Sequence, residues 1–356
     1  MAINVGLDIG TSAARAAAVE VGKKTTPVLR KLAQIPLPPG AVVGGDIVDE
    51  GTVRDALVQL FRSARLPKRR IVVGLANPRV IVRRVDLPYM PEEELAEALP
   101  FQTQEYLPIP VDEAILDYIP LEEFTTPNGE PMMSVLVVAA QREMANHVLS
   151  VVTGAGLKVM AVDLQALALV RSVYGADLTL EVEPQALVNI GAGVTQVLLV
   201  QNGAVQFLRI LAMGGQDFTD ALASGLSMTP DQAETFKRGV GVALEGGPEE
   251  TRGEERAQVI LTRQADILID EVRGSIDYFM AQTPNRRVGR LLVAGNGARL
   301  PHLANRMGRA LGAPVQPIRI FDGVVRLGKV GLSEAELAQL QPVAPIPVGL
   351  ALWGEI

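Results

Sequence analysis

The chain has 356 residues, no cysteine, two histidines and 33 basic against 40 acidic side chains, with 48% hydrophobic content. Without cysteine there is no disulfide framework, thiolate nucleophile, iron–sulfur cluster or thiolate zinc site, and any histidine-dependent triad or metal centre must use His147 or His302. The net charge of −7 gives no general attraction to nucleic acid or anionic lipid, and the length implies two or more domains, each with its own core.

The opening MAINVGLDIG lacks the basic start and apolar stretch of a signal peptide, and the densest apolar runs are only strand-length, so the sequence reads as soluble and cytoplasmic. Residues 7–22 (LDIGTSAARAAAVEVG) predict a β-hairpin with a glycine-centred tip. A helix follows over 52–65, where Leu57, Leu60 and Phe61 share a face, then strands over 71–76 and 80–85. Pro91 opens a helix over 92–99; residues 122–131 (EEFTTPNGEP) predict a flexible loop; a strand over 134–140 leads to helices over 141–154 and 164–173. His147 falls in the first of these helices as a structural residue, and Met132 and Met133 read as core or loop fillers.

Residues 188–203 (VNIGAGVTQVLLVQNG) predict a second hairpin, followed by helices over 217–226 and 229–238, the latter opened by a capping-box spacing at Thr229–Gln232. A second flexible loop is predicted over 245–256, then a long helix over 255–282 weakened by Gly274. Strands over 290–294 and 315–320 flank a helix from Leu300 to Leu311 that His302 starts as a cap or surface group. The Pro-rich stretch 342–347 sets off a short C-terminal segment, in which Trp353 is expected to pack on the first half.

The two hairpins align without gaps at a constant offset of 181 residues, so the chain reads as two similar α/β halves. Backbone amides at such small-residue tips form a concave anion site, and glycine permits close approach of phosphate oxygens. The first tip offers Gly10, Thr11 and Ser12 with Arg15 three residues on; Asp8 just before it suits a hard cation such as Mg²⁺, held through water. The second tip supplies Gly191, Gly193 and Thr195 but carries Asn189 where a carboxylate would hold the metal better. A third cluster, VAGNGA at 293–298, places a strand, a glycine turn and a helix start where a flat base could rest. Each motif alone also reads as an ordinary tight turn.

Their order and spacing resemble the phosphate-1, phosphate-2 and adenosine motifs of the actin, heat-shock-chaperone and sugar-kinase superfamily. Within it the chain is most similar to the type IV pilus assembly PilM family, with the cell-division protein FtsA next. The segments at 91–118, 156–171, 213–219 and 232–237 carry that resemblance across nearly the whole chain. It implies an α/β, actin-like (ribonuclease H-like) two-domain ATPase fold with an inserted FtsA/PilM-type subdomain. The implied divisions are 1–84 for the first half, 85–161 for the insert, 162–185 for the return, 186–330 for the second half with a subdomain at about 218–289, and 331–356 for a C-terminal segment packed on the first half.

The resemblance also implies residue roles. Gly10, Thr11, Ser12 and Arg15 would line the β- and γ-phosphates from one side, and Asn189, Gly191, Ala192, Gly193 and Thr195 from the other. Gly214 and Gly215 would turn the chain near the phosphates, Glu234 and Lys237 would meet ribose and base, and Gly295, Asn296, Gly297 and Arg299 would flank adenine. As an alternative, Glu234 and Lys237 form a plain helix-face ion pair. For hydrolysis, Asp8 would position Mg²⁺ while Asp163 and Gln196 orient water, with slow turnover at most. The implied ligand is ATP or ADP with Mg²⁺. The implied partner is the cytoplasmic N-terminal peptide of a PilN-type inner-membrane protein, with other pilus platform proteins, motor ATPases and self-association as further contacts. No nucleic acid partner and no direct membrane insertion are expected, and the protein would sit at the inner membrane through its partner. The competing readings are an FtsA-like membrane-tethering filament protein and a metabolic kinase of the same superfamily.

Overall fold

The computed structural model describes residues 2–22, 25–175, 183–243, 253–282 and 287–354. The chain opens with β1 (Ala2–Ile9), β2 (Ala13–Val21) and β3 (Val28–Pro36), a short ribbon of β4 (Val42–Val43) and β5 (Asp46–Ile47), then α1 (Glu50–Ser63) and β6 (Ile71–Leu75). An inserted unit follows: β7 (Ile81–Pro88), α2 (Glu92–Thr103), β8 (Ala114–Thr125) and β9 (Pro131–Gln141). The chain returns through α3 (Arg142–Gly154), β10 (Val159–Leu164) and α4 (Gln165–Tyr174). The second half holds β11 (Gln185–Ile190), β12 (Thr195–Gln201), β13 (Ala204–Leu211), α5 (Gly215–Leu226), α6 (Pro230–Val240), α7 (Gly253–Gln282), β14 (Arg290–Ala294), α8 (Leu303–Leu311) and β15 (Val315–Pro317). A final stretch of β16 (Arg326–Leu327), α9 (Glu334–Leu340) and α10 (Pro345–Ala351) crosses back to the first half.

The two halves repeat one topology. In the first sheet β1, β2 and β3 form an antiparallel meander, and β6 and β10 lie parallel on the other side of β1. In the second, β11, β12 and β13 form the meander, and β14 and β15 lie parallel beyond β11. The sequence offset is kept in register: Asp8 stands opposite Arg15, and Asn189 stands opposite Gln196. Apolar residues on both faces of the central strands are buried, as parallel strands covered by helices on each side require.

The inserted unit has its own small core, in which Leu95 and Leu99 of α2 lie against Val135 and Val137 of β9. Residues 142–161 were expected within this unit, but α3 packs against α1 and β10 pairs with β6, so they belong to the first half. The predicted loop at 122–131 is narrower than expected, because β8 and β9 extend to Thr125 and from Pro131 and leave only a short turn with Gly129 at φ +86°. Of the other predicted loop, residues 245–252 lie outside the described residues, while Gly253–Arg256 form the first turn of α7.

The Pro-rich stretch that sets off the C-terminal segment runs into a buried helix. Pro345 and Pro347 occupy the first turn of α10, where the absent N–H groups are not needed, and every residue of α10 is buried. It wedges between β1 and α4: a Cβ on Gly6 would fall 1.9 Å from the Pro347 carbonyl, and one on Gly349 would fall 1.8 Å from that of Ala168. Leu352 completes this contact, whereas Trp353 is 39% exposed. His302 is an exposed residue in the left-handed region before α8 and makes no capping bond.

Candidate functional site

The hairpin tips of the two halves face each other at the C-terminal ends of β1 and β11. Each is closed by the same bond, Gly10 N–H to the Ala13 carbonyl at 3.1 Å and Gly191 N–H to that of Val194 at 2.9 Å. The tips touch, because a Cβ on Gly193 would lie 2.5 Å from Thr11 Oγ1. Among the described residues, the amides of Thr11, Ser12, Ala192 and Gly193 donate to no protein acceptor. Successive free amides at a small-residue turn are the donors that an anion nest requires.

Beneath the tips runs a buried polar chain that joins the halves. Arg15 lies 3.3 Å from Asp8 Oδ2, Gln165 Nε2 donates to Asp8 Oδ1 at 2.9 Å, and Gln196 Nε2 donates to Gln165 Oε1 at 3.1 Å. Burial pushes the Asp8 carboxyl above its ordinary value, and the Arg15 charge and the two hydrogen bonds only partly offset it. Gln165, the first residue of α4, was not anticipated; a lone glutamine after a strand carries no local signal. Two buried atoms of this chain, Arg15 Nε and Gln196 Oε1, lack partners.

Some expected roles shift. Asp163 is not part of the cleft: its carboxylate is paired with Arg171, whose own ionisation burial pulls down to about 10. Thr195 is fully buried and its hydroxyl donates to the Met213 carbonyl at 2.9 Å, so that group does not point to the cleft as a free donor. The Gly215 and Gln216 amides donate to the Gly191 and Ala192 carbonyls at 2.8 and 2.7 Å, so this turn braces the second tip from behind.

Lys237 and Glu234 do share a face of α6, 2.5 Å apart. The ammonium also donates to Thr219 Oγ1 at 2.7 Å and to the Gly215 carbonyl at 2.8 Å, which uses all three of its donors. The pair therefore locks α6 to α5 and to the brace of the second tip. Burial alone would raise the Glu234 carboxyl, but the bonds from Lys237 and Thr219 outweigh it and hold it below its ordinary 4.5. A depressed carboxyl contributes stability that is present above the unfolded value and lost as pH falls through the folded one. Lys237→Met removes a charged donor shared by Glu234, Thr219 and the Gly215 carbonyl and is expected to cost about 1–3 kcal/mol. Thermal denaturation checks this, with the difference from wild type shrinking as pH falls below 4.5.

The third glycine cluster closes the far wall. Gly295 has φ +88°, and a Cβ there would fall 2.1 Å from the Ile190 carbonyl. This lets the turn at Gly297–Arg299 lie against the second hairpin, with Asn296 and Arg299 exposed at its edge. Ser12, Ala192, Thr219, Lys237, Gly297 and Arg299 are among the residues lining a cavity of about 580 Å³, and a narrow neck of about 60 Å³ continues from it down to Asp8 and Gln165. That volume is in the range of small-molecule sites, roughly 300–1,000 Å³. A larger opening of about 970 Å³ between α6 and α7 is lined by Asp231, Glu254 and Glu255 with no basic side chain among its described lining, which does not suit a phosphate.

Two half-sheets of one topology, glycine tips meeting over a buried acid and a third glycine turn beside a cavity define an actin-like fold with a cleft between its halves. The sequence model of the Type IV pilus assembly protein PilM family matches residues 6–355, and the chain belongs to that family. Its structure is similar to one described as the PilM-PilN type IV pilus biogenesis complex, with 27% identity, a TM-score of 0.83, and coverage of 98% of this chain and 97% of that one. It is also 26% identical over 263 residues to the cell division protein FtsA of Bacillus subtilis, a match that takes in 67% of this chain and spans 58% of the length of that relative. MreB 5 of Spiroplasma citri bound to AMPPNP shares the fold alone, at 12% identity and a TM-score of 0.53 over 90% of this chain and 92% of that one.

Proposed function

We propose that this PilM-family protein is an ATP-binding adaptor of type IV pilus assembly that binds the cytoplasmic N-terminal peptide of a PilN-type inner-membrane protein. The observation that supports it most is the 0.83 TM-score to a PilM–PilN complex over nearly the full length of both chains. The adaptor works at the inner membrane through that partner; among the described residues no helix is long and apolar enough to cross a membrane. Pull-down of a PilN-type peptide by the purified protein tests this reading. Retention of the peptide is the expected result, and hexose-dependent ATP consumption without peptide retention would overturn it in favour of a metabolic kinase.

The free tip amides receive the phosphates, the 580 Å³ cavity takes the nucleoside, and the Gly295–Arg299 turn flanks the base. The residues fit Mg²⁺ in one way only. No cluster of three ligating side chains is present among the described residues, and both Asp8 oxygens already accept a hydrogen bond, so Asp8 would hold the ion through water while phosphates and waters complete the shell. Bound there, the ion would neutralise phosphate charge. Gln165, which lines the neck below the tips, is the amide that would orient a water, and the fully buried Gln196 would act only by holding Gln165 through its hydrogen bond. A glutamine amide is not a base, and Asp8 is engaged by Arg15, so turnover is slow.

A further inference from the structure

Charge is segregated along the chain in a way the nucleotide cleft does not use. Residues 56–85 contain eight basic and no acidic side chains, and residues 85–141 contain twelve acidic and no basic ones. The basic run is concentrated at the last turn of α1 and the loop from there to β6, where Arg62, Arg65, Lys68 and Arg69 are exposed and, among the described residues, form no ion pair. In the inserted unit α2 buries Leu95, Leu99 and Thr103 on one face. Its opposite face carries Glu94, Glu97 and Phe101 at helical spacing, with Phe101 81% exposed and neither glutamate in an ion pair among the described residues. Tyr89 and Tyr106 nearby in sequence are each 47% exposed.

An apolar ring this exposed, set among carboxylates in no ion pair among the described residues, is an unpartnered helix face. The chemistry that suits it is guanidinium, which pairs with carboxylates through its planar fork and stacks on aromatic faces. The loop at 62–70 offers four arginines and one lysine. Within one molecule the two surfaces sit apart: the loop enters β6 at Ile71, and the insert leaves from the other end of that strand at Leu75. No ion pair joins them among the described residues; the only pair between the two charge runs is Arg84 with Glu122, at the base of the insert.

We propose that the outer face of α2 is a docking surface for the 62–70 loop of a second copy of this chain. The contact is head-to-tail, so each copy keeps one free surface of each sign, and association proceeds to rings or open chains rather than stopping at a two-fold dimer. It rests on neither the nucleotide reading nor the pilus reading.

Sedimentation velocity of the full chain tests it. The wild type is expected to form concentration-dependent oligomers at about 0.1 M salt and to dissociate at about 1 M, where the screening length falls to about 3 Å. The double variants Arg65→Glu/Arg69→Glu and Glu94→Lys/Glu97→Lys are each expected to weaken association by about tenfold or more, and an equimolar mixture of the two is expected to recover it, because each reversed surface then meets its complement. Circular dichroism confirms that both variants fold, and the wild-type salt dependence needs neither. A wild type that is monomeric at both ionic strengths overturns the proposal, as does a mixture that fails to recover. Binding of the loop to phosphatidylglycerol vesicles by a protein that stays monomeric is one form that contrary result would take.

Discussion

Asp8→Ala is expected to abolish nucleotide binding and to destabilise the fold in the same step. Asp8 is 5% exposed and Arg15 9% exposed, so removing the carboxylate strands a buried guanidinium that cannot lose its proton. Breaking one partner of a buried pair costs about 3–5 kcal/mol. The 3.3 Å separation and the raised Asp8 carboxyl argue for the lower end. At roughly 2–4 °C per kcal/mol for a domain of this size, the melting temperature should fall by about 10 °C. Gln165 loses its acceptor as well, and the polar chain between the halves is cut.

Arg15→Ala is the informative contrast. The orphaned Asp8 can take up a proton, which no change can offer to an orphaned arginine, so the loss is expected to be smaller than in Asp8→Ala. Its pH dependence has a defined sign. A raised carboxyl contributes stability that is present below its unfolded value and lost as pH rises through the folded one, so Arg15→Ala should be closest to wild type near pH 3.8 and fall behind above it. Thermal melts of both variants from acid to neutral pH measure this. Equal losses at neutral pH would show that Asp8 and Arg15 are not the buried pair described.

Gly193→Val is expected to remove nucleotide binding while leaving the fold nearly intact. Glycine is required there by space rather than by backbone angle, because its φ lies outside the left-handed region and the obstacle is Thr11: Oγ1 at 2.5 Å, and Cβ and Cγ2 at 3.2 Å. A branched side chain wedges the tips apart and moves the free amides off the phosphates. A displacement of about 1 Å in a positioned site can cost a hundredfold, and a loss of roughly that size in ATP affinity is expected by calorimetry. Both tips are only partly buried, so the melting temperature without nucleotide should change little. Thr11→Gly in the same molecule returns the space and should recover most of the affinity.

Most of the fold was readable from sequence because the two halves announce themselves in the same way. Small residues at each hairpin tip repeat at a fixed offset, and the structure keeps that offset as strand register. The longer strands missed were β3, β8, β10 and β13, which have a partly exposed face or polar interruptions and so lack a continuous apolar signal; the two-residue strands β4, β5 and β16 are too short to give one. Prolines at 345 and 347 mark off a C-terminal segment in the sequence without showing a helix, because local propensity cannot see that α4 and β1 enclose them. The cleft itself was legible at its glycines, where geometry demands a residue type. It was less legible at its polar groups: Gln165 and Asp163 are two residues apart, and only the tertiary fold decides that the amide reaches Asp8 while the carboxylate turns to Arg171.

The central claim is that the facing hairpins form a nucleotide cleft, and titration of the purified chain with MgATP in a calorimeter tests it most directly. The expected result is one nucleotide bound per chain. A matching rise in melting temperature should follow, with stabilisation of about 2.7 kcal/mol at a hundredfold excess over Kd, and both effects should be absent in Gly193→Val. Absence of heat and of stabilisation with the wild type, or the same affinity in Gly193→Val, would contradict the account.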